Sequence, residues 1–247
     1  MGFANRAGPR KQTKTERENT MTVKKFIAIT SAAIAVSLTA SAEVTVDYVT
    51  DYVFRGTLLA EDSIQPGFET TAFNDAVTVG TWANFDLDQE QFDEIDYYFS
   101  YSIPMKEDSK IGIDVGYTEY AYPTSEADAD REPFVSFGTS YEMVDLSLMF
   151  AYGIDGGIED SLYIELGAGT GIDLAENVAI DLGAALGYAD PDGGEAGLSH
   201  LTLGASTDLA IPETDYGFTV GVTYIVETDG DVQEIAEELV FSVGTTL

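Results

Sequence analysis

The chain has 247 residues, with 44 acids against 11 Lys and Arg, one His and no Cys, so its formal net charge is −33. A hydrophobic content of 45% is too high for a charged, disordered chain, and the acidity argues against a nucleic-acid binder because phosphate attracts Lys and Arg. The lack of Cys excludes a disulfide scaffold, Cys-ligated zinc and a thiol nucleophile.

The beginning of the chain has the features of an export signal. Residues 1–20 are polar and basic, and we interpret them as an extension upstream of the true start. Within residues 21–42, Lys24 and Lys25 precede a short apolar run and an Ala-Ser-Ala site. These are the three parts of a secretory signal peptide, and the run is too short for a spanning helix, which needs ~20 apolar residues. We therefore expect a signal peptide at 21–42, with a membrane anchor as the alternative.

Residues 43–247 then form the expected mature protein. Seven bases and two acids lie before residue 43, so this part keeps four bases and 42 acids, a formal charge of −38. It contains no apolar run that could cross a membrane as a helix. An exported chain of this kind is either a soluble protein or an outer-membrane β-barrel.

Apolar and polar residues alternate with period two along most of the mature chain, which predicts strands with one apolar and one wet face. Most segments have ~10 residues, the length that a tilted transmembrane strand needs. We expect about twelve strands, near residues 43–55, 64–73, 76–85, 94–104, 110–122, 133–141, 144–153, 161–173, 178–189, 197–209, 215–227 and 237–247.

The connections between these segments alternate in length. Short turns are expected at residues 74–75, 105–109, 142–143, 175–177 and 211–214. Longer, acidic loops are expected at residues 56–63, 86–93, 123–132, 154–160, 190–196 and 228–236. This rhythm predicts an all-β fold, a single antiparallel up-and-down transmembrane β-barrel with both termini on the periplasmic side.

The apolar face is rich in aromatic residues. Tyr48, Tyr52 and Phe54 are assigned to it by alternation. Further aromatic residues fall at strand ends, where they predict girdles at the depth of the lipid headgroups: Phe85, Tyr117, Tyr141, Tyr152, Tyr188 and Tyr216. The alternative is a lipocalin-like soluble barrel or a sandwich that uses this face as its core.

The opposite face combines acids with many Gly residues. Its candidates for lining the lumen or setting selectivity are Asp47, Asp51, Arg55, Glu69, Asp96, Asp114, Asp145, Glu165 and Asp181. A dry interior could not hold so many unpaired carboxylates, so we expect a hydrated bore that favours cations. In the alternative interpretation, the Gly residues serve strand curvature and the acids only solubilise the interior. Arg55 either neutralises lumen acids and fixes strand register or acts as a constriction charge.

Residues 50–56, Thr-Asp-Tyr-Val-Phe-Arg-Gly, are followed by Gln-Pro-Gly at 65–67. This stretch resembles the S-D-Y-V-F-R-G and Q-P/Q-G pattern of the TorF family of exported, porin-like Gram-negative proteins. The resemblance covers some 25 residues and implies an outer-membrane barrel with a suspected channel and no known substrate.

Catalytic and metal-binding patterns are weak. His200 lies beside Ser199 and two residues before Thr202, but alternation places His200 and Thr202 inward, away from lipid. The acid pairs at 190/192 and 229/231 lack the twelfth-position Glu of an EF-hand. We therefore expect no enzyme activity, no cofactor and no dedicated metal site.

Together these features predict an outer-membrane, porin-like passive diffusion channel that prefers cations. The expected partners are outer-membrane lipid, small hydrophilic solutes or cations and the barrel-assembly machinery, without nucleic acid. The alternatives are a closed structural or adhesive barrel and a soluble exported barrel that binds an apolar ligand.

Overall fold

The computed structural model describes residues 42–247 except 107, 176–177, 212–213, 215–216, 229–231 and 233–236. The expected polar extension and signal peptide therefore lie outside the described residues, apart from Ala42. The described part contains the strands β1 (Ala42–Phe54), β2 (Thr57–Ala72), β3 (Val77–Asp86), β4 (Gln91–Ser102), β5 (Ile111–Ala121), β6 (Asp130–Tyr141), β7 (Val144–Tyr152), β8 (Leu162–Ala175), β9 (Val178–Asp190), β10 (Gly197–Ala210), β11 (Gly217–Glu227) and β12 (Glu238–Thr246).

These strands form one closed antiparallel barrel in which each strand pairs with its neighbours in the sequence. The ring closes between β1 and β12, where Tyr48 lies opposite Val243. Closure leaves no strand edge unpaired, so every strand can satisfy its backbone hydrogen bonds within the sheet. The predicted fold class is thus confirmed. No helix in the described part of the chain is long and apolar enough to cross a membrane.

The barrel has two distinct ends. The first residues of β1 and the last residues of β12 lie at the same end of the barrel, which we call the terminal end. We call the opposite end, which contains the β1–β2 turn, the loop end. The first two connections at the loop end are shorter than expected. Arg55 and Gly56 form a tight turn in which both residues have positive φ, 51° and 88°, as in the favoured two-residue hairpin turns. The expected loop at 56–63 is therefore mostly strand β2, and the next connection is only residues 87–90.

The outer surface of the barrel carries the apolar side chains. Tyr97 and Phe99 on β4 are 53% and 51% exposed. Exposed apolar side chains also occur at alternate positions on other strands. The expected girdle residues Phe85, Tyr117, Tyr141, Tyr152 and Tyr188 alternate with inward residues, and Tyr216 lies outside the described residues. An apolar exterior around a polar interior is the arrangement of a barrel surrounded by lipid, and the reverse of a soluble one.

Strand β1 departs from strict alternation. Val49 and Tyr52 are both buried in the interior although they are three residues apart. The pairing of β1 with β2 skips Thr50 and Asp62 between them, and Asp62 has a positive φ of 43°. An irregularity of this kind reverses the facing of the residues that follow it. Tyr52 and Phe54, which were assigned to the lipid face, therefore point into the barrel.

Two inward glycines on neighbouring strands test the packing of the interior. A Cβ at Gly116 would lie 2.5 Å from the carbonyl oxygen of Phe99 and 2.3 Å from the ring of Phe134, whereas a Cβ at Gly138 would meet nothing within 4 Å. We expect Gly116→Ala to lower the free energy of unfolding by about 1–3 kcal/mol through overpacking. Gly138→Ala is the matched control and should leave it nearly unchanged. Urea unfolding of the refolded barrel measures both, and equal effects of the two substitutions would contradict the described packing.

Candidate functional site

The interior near the terminal end is open along β5 to β7. Gly112 and Gly138 face inward and are exposed, and Gly138 has free space where a side chain would start. Asp114 and Asp145 line the same region, and each accepts a hydrogen bond of 2.5 Å from a nearby Ser hydroxyl. Carboxylates with one donor each and access to solvent remain hydrated, so this part of the interior, along β5 to β7, is a polar vestibule.

The interior near the loop end is narrowed by side chains. Five residues, which we call the Arg55 cluster, meet there: Arg55, Tyr120, Glu132, Tyr163 and His200. They come from the β1–β2 turn and from β5, β6, β8 and β10, so they converge from around the ring. Tyr120 is 3% and His200 2% exposed. The cluster therefore forms a constriction between the vestibule and the loop end.

Arg55 holds this constriction together. Its guanidinium donates two hydrogen bonds to the carboxylate of Glu132, at 2.8 and 2.6 Å. Strands β1 and β6 are five places apart in a ring of twelve, so this contact crosses the bore. The guanidinium also lies 4.0 Å from the ring centroid of Tyr163 and 4.8 Å from that of Phe54. The flat, delocalised cation suits both the bidentate pairing and the stacking.

Arg55 is the sole base inside the barrel among the four in residues 43–247, all of which the structure describes. Lys106 and Lys110 are exposed next to the β4–β5 connection at the terminal end. Arg131 faces outward, where it pairs with Glu119 at 3.0 Å and with Asp155. Glu132 neutralises Arg55, so this base is committed to one of the interior acids.

A second polar group covers the wall formed by β1 to β4. This acidic wall consists of Glu69, Glu94 and Asp96 with the phenols of Tyr52 and Tyr98. The Tyr52 hydroxyl donates to Glu94 at 3.0 Å, and the Tyr98 hydroxyl donates to Glu69 at 3.2 Å. All three carboxylates are buried. The wall thus holds three buried acids, Glu69 on β2 and Glu94 and Asp96 on β4, and phenol groups are hydrogen-bond donors to two of them.

Hydrogen bonds at the loop end also connect β5, β6 and the β7–β8 connection. Tyr122, directly after β5, donates a hydrogen bond of 2.8 Å to Asp130. Burial, and then this hydrogen bond, raise the pKa of Tyr122 above its ordinary value, so the phenol stays protonated and available as a donor. Asp130 also accepts from the backbone N–H of Gly157 at 2.5 Å, which fastens the β7–β8 connection to the start of β6.

Most of the residues singled out from the sequence face the interior, but Asp51 does not. Asp51 lies opposite Glu61 and next to the inward Tyr52, so its side chain points to the other face, because of the irregularity in β1. The residues that do contribute to the interior are Asp47, Arg55, Glu69, Asp96, Asp114, Asp145, Glu165 and Asp181. Their role in selectivity stays a prediction.

Several interior residues escaped the sequence analysis. Glu94 lies two residues before Asp96, so alternation within the same strand could have identified it. Glu132 was assigned to a loop because Pro133 marked the expected strand start, yet β6 begins at Asp130. Tyr163 stood among polar residues in the alternation, but nothing local indicated its contact with Arg55.

Ser199 and His200 are brought together in the interior. The Ser199 Oγ and the His200 Nδ1 are 3.0 Å apart, and the His200 ring stacks on Tyr163 at a centroid distance of 6.3 Å. The inward positions expected for His200 and Thr202 are confirmed, since both are buried. Ser199 and His200 therefore do not lie on the lipid-facing surface of the barrel. Within the described residues, no three His, Asp or Glu side chains are grouped to hold a metal ion.

The chain belongs to the Gcw_chp family, described as a bacterial protein of unknown function, whose model matches residues 31–245. None of the curated proteins matches the sequence significantly. The TorF resemblance is therefore not confirmed by these matches, whereas the membership of the Gcw_chp family is shown.

Solved structures of outer-membrane porins and channels share this fold. The KdgM porin in complex with disordered oligogalacturonate aligns with a TM-score of 0.55 at 9% identity, over 83% of this chain and 97% of that one. The NanC porin aligns with a TM-score of 0.51 at 9% identity, over 84% and 99% of the two chains. An outer-membrane channel from Pseudomonas putida F1 gives 0.50 at 9% identity, over 84% and 95%. The barrel therefore has the fold of an outer-membrane porin.

Removal of the Arg55 guanidinium should destabilise the barrel. Arg55→Ala leaves Glu132 buried without its cation, and breaking a buried pair in this way costs about 3–5 kcal/mol. Arg131→Ala is the control, because its two ion pairs lie on the exposed outer face, and it should change stability little. Urea unfolding in detergent micelles measures both variants. Similar effects of the two substitutions would contradict the buried bridge across the bore.

Proposed function

We propose that this protein is an outer-membrane diffusion channel that prefers cations. The observation that carries the proposal is the closed barrel with an apolar exterior and an interior in which acids greatly outnumber bases. Fixed carboxylates along an aqueous path lower the energy of an entering cation and raise that of an anion. Passive diffusion through such a bore needs no conformational cycle.

The porin fold of the solved neighbours supports the channel assignment. The KdgM structure contains oligogalacturonate, but an acidic solute of this kind would be repelled by the carboxylates of the present interior. We therefore infer that the solutes are inorganic cations or small, uncharged or cationic hydrophilic molecules.

We also infer that the chain is exported with a cleaved signal peptide, is inserted by the barrel-assembly machinery and is surrounded by outer-membrane lipid. The terminal end would then face the periplasm, as in other barrels of this type. The similarity of residues 50–67 to TorF proteins stays a prediction that agrees with this location. The proposal includes no catalytic role for Ser199 and His200, because both are buried inside the barrel.

Because the Arg55 cluster narrows the interior at the loop end, we expect a narrow channel. In planar lipid bilayers with a KCl gradient, the purified barrel should give discrete conductance steps with a reversal potential on the cation side. A lack of conductance steps would favour a closed structural barrel. A reversal potential on the anion side would contradict the proposal that interior carboxylates favour cations.

Two acids on strand β5 separate the effect of an interior charge from that of a general loss of charge. Asp114 faces the vestibule, whereas Glu119 faces outward and pairs with Arg131. Asp114→Asn should reduce the cation preference measured by the reversal potential, because it removes a charge that a permeating ion passes. Glu119→Gln should leave the reversal potential unchanged. A larger shift for Glu119→Gln would contradict the assigned route of the ions.

A further inference from the structure

The tip of the β1–β2 hairpin has no neighbouring strand among the described residues. The pairing of β1 with β12 ends at Val49, and one residue further the backbone N–H of Phe241 on β12 donates to the Thr50 side chain instead, at 3.0 Å. The pairing of β2 with β3 begins only at Ser63. Within the described part of the chain, residues 51–61 therefore pair only with each other, and we call them the ribbon.

The ribbon is bent into the barrel. Twelve strands that lie ~4.8 Å apart and tilt by ~40° form a ring with a diameter of roughly 24 Å. Strands β6 and β8 are each five places from β1 in this ring, so they belong to the far wall. Arg55, in the turn of the ribbon, nevertheless donates to Glu132 on β6 at 2.8 and 2.6 Å and lies 4.0 Å from the ring centroid of Tyr163 on β8. An Arg and a Glu side chain cannot span such a ring together, so the turn lies inside it.

Two aromatic side chains of the ribbon also lie in the bore. The ring of Phe54 contacts that of Tyr120 on β5 edge-on, with the centroids 5.5 Å apart. The ring of Tyr52 lies 5.2 Å from that of Trp82 on β3, and its hydroxyl donates to Glu94 on β4 at 3.0 Å. The ribbon therefore takes up part of the cross-section that the barrel wall encloses at the loop end.

The base of the ribbon is a place where the hairpin can bend. Thr50 and Asp62 are not paired there, and Asp62 has a positive φ of 43°. A cavity of about 300 Å³ is lined by residues 58–61 of the ribbon and by side chains at the β3–β4 turn, so the two are not closely packed. A two-stranded ribbon on its own is marginally stable in water. Its position in the bore therefore depends on its side-chain contacts with the wall.

We propose that the ribbon is a displaceable plug, which limits the width of the bore at the loop end, and that the pair of Arg55 and Glu132 is its latch. While the pair is intact, the guanidinium is held against the far wall by two hydrogen bonds. When the pair is broken, the guanidinium is a buried charge without a partner, which is costly. It regains its hydration by leaving the interior, and the ribbon moves with it. The inference deepens the proposed function and rests on it for the passage of ions, but not for the position of the ribbon.

Deletion of the ribbon tests whether it limits the bore. Residues 51–61 are replaced by the dipeptide Asn-Gly, which favours a tight hairpin turn. The single-channel conductance in KCl should rise severalfold above that of the wild type, because the barrel wall alone then sets the width. A barrel shortened at residues 124–128, in the exposed β5–β6 connection, is the control and should keep the wild-type step size.

Glu132→Ala tests the latch with a measurement that does not require conduction. Because the chain has no Cys, spin labels can be attached at Leu59→Cys in the ribbon and Leu166→Cys on the outer face of β8, which are 44% and 53% exposed in the native chain. Glu132→Ala should add a population with a longer distance between the labels, because the ribbon leaves the far wall. Glu119→Ala, which breaks an ion pair on the outer face, is the matched control and should keep the wild-type distance.

Equal step sizes for the wild type and the barrel without the ribbon would overturn the plug, and an unchanged label distance in Glu132→Ala would overturn the latch. Conductance with equal steps and unchanged distances would contradict the whole inference and leave the channel standing. A longer distance in Glu132→Ala, with no conductance in any variant, would support a displaceable ribbon and contradict the channel.

Discussion

Lipid on the outside and water on the inside impose the organisation of this barrel. In the hydrocarbon region, every backbone polar group must find its partner within the protein, and a closed antiparallel sheet achieves this without an edge. The strands then have one face for lipid and one for the interior. Because the chain carries many acids and those acids cannot face hydrocarbon, they collect along the interior of the barrel or at its two ends.

Acids outnumber bases in the interior, but at one place an interior acid, Glu132, is paired with a base, Arg55. Arg55 reaches its position because a two-residue turn with two positive φ angles brings the chain back at once into β2. From that turn the side chain crosses the bore to Glu132 and stacks against Tyr163. The same contact that neutralises one acid also narrows the loop end, so one residue contributes both to stability and to the width of the interior. Other interior acids accept hydrogen bonds from neutral hydroxyl groups, as Glu94 does from Tyr52 and Asp114 does from Ser102.

Period-two alternation was sufficient to predict twelve strands and the facing of most side chains, because lipid and water impose opposite requirements on neighbouring positions. It could not predict the irregularity near Thr50 and Asp62, which depends on pairing between β1 and β2 and reverses Asp51 and Tyr52. Residues 56–63 have the polarity of a loop, with Glu61 and Asp62, but they pair with β1. The contact of Arg55 with Glu132 joins positions 77 residues apart and follows only from closure of the ring.

The natural lack of Cys allows a direct test of side-chain facing by single-Cys labelling. Ser147 and Leu146 are neighbours on β7, and the first faces the interior while the second is 39% exposed on the outer surface. In barrels reconstituted into lipid vesicles, a charged, membrane-impermeant thiol reagent should label Ser147→Cys and leave Leu146→Cys unmodified. Rapid labelling of Leu146→Cys with protection of Ser147→Cys would contradict an aqueous, acid-lined interior surrounded by lipid.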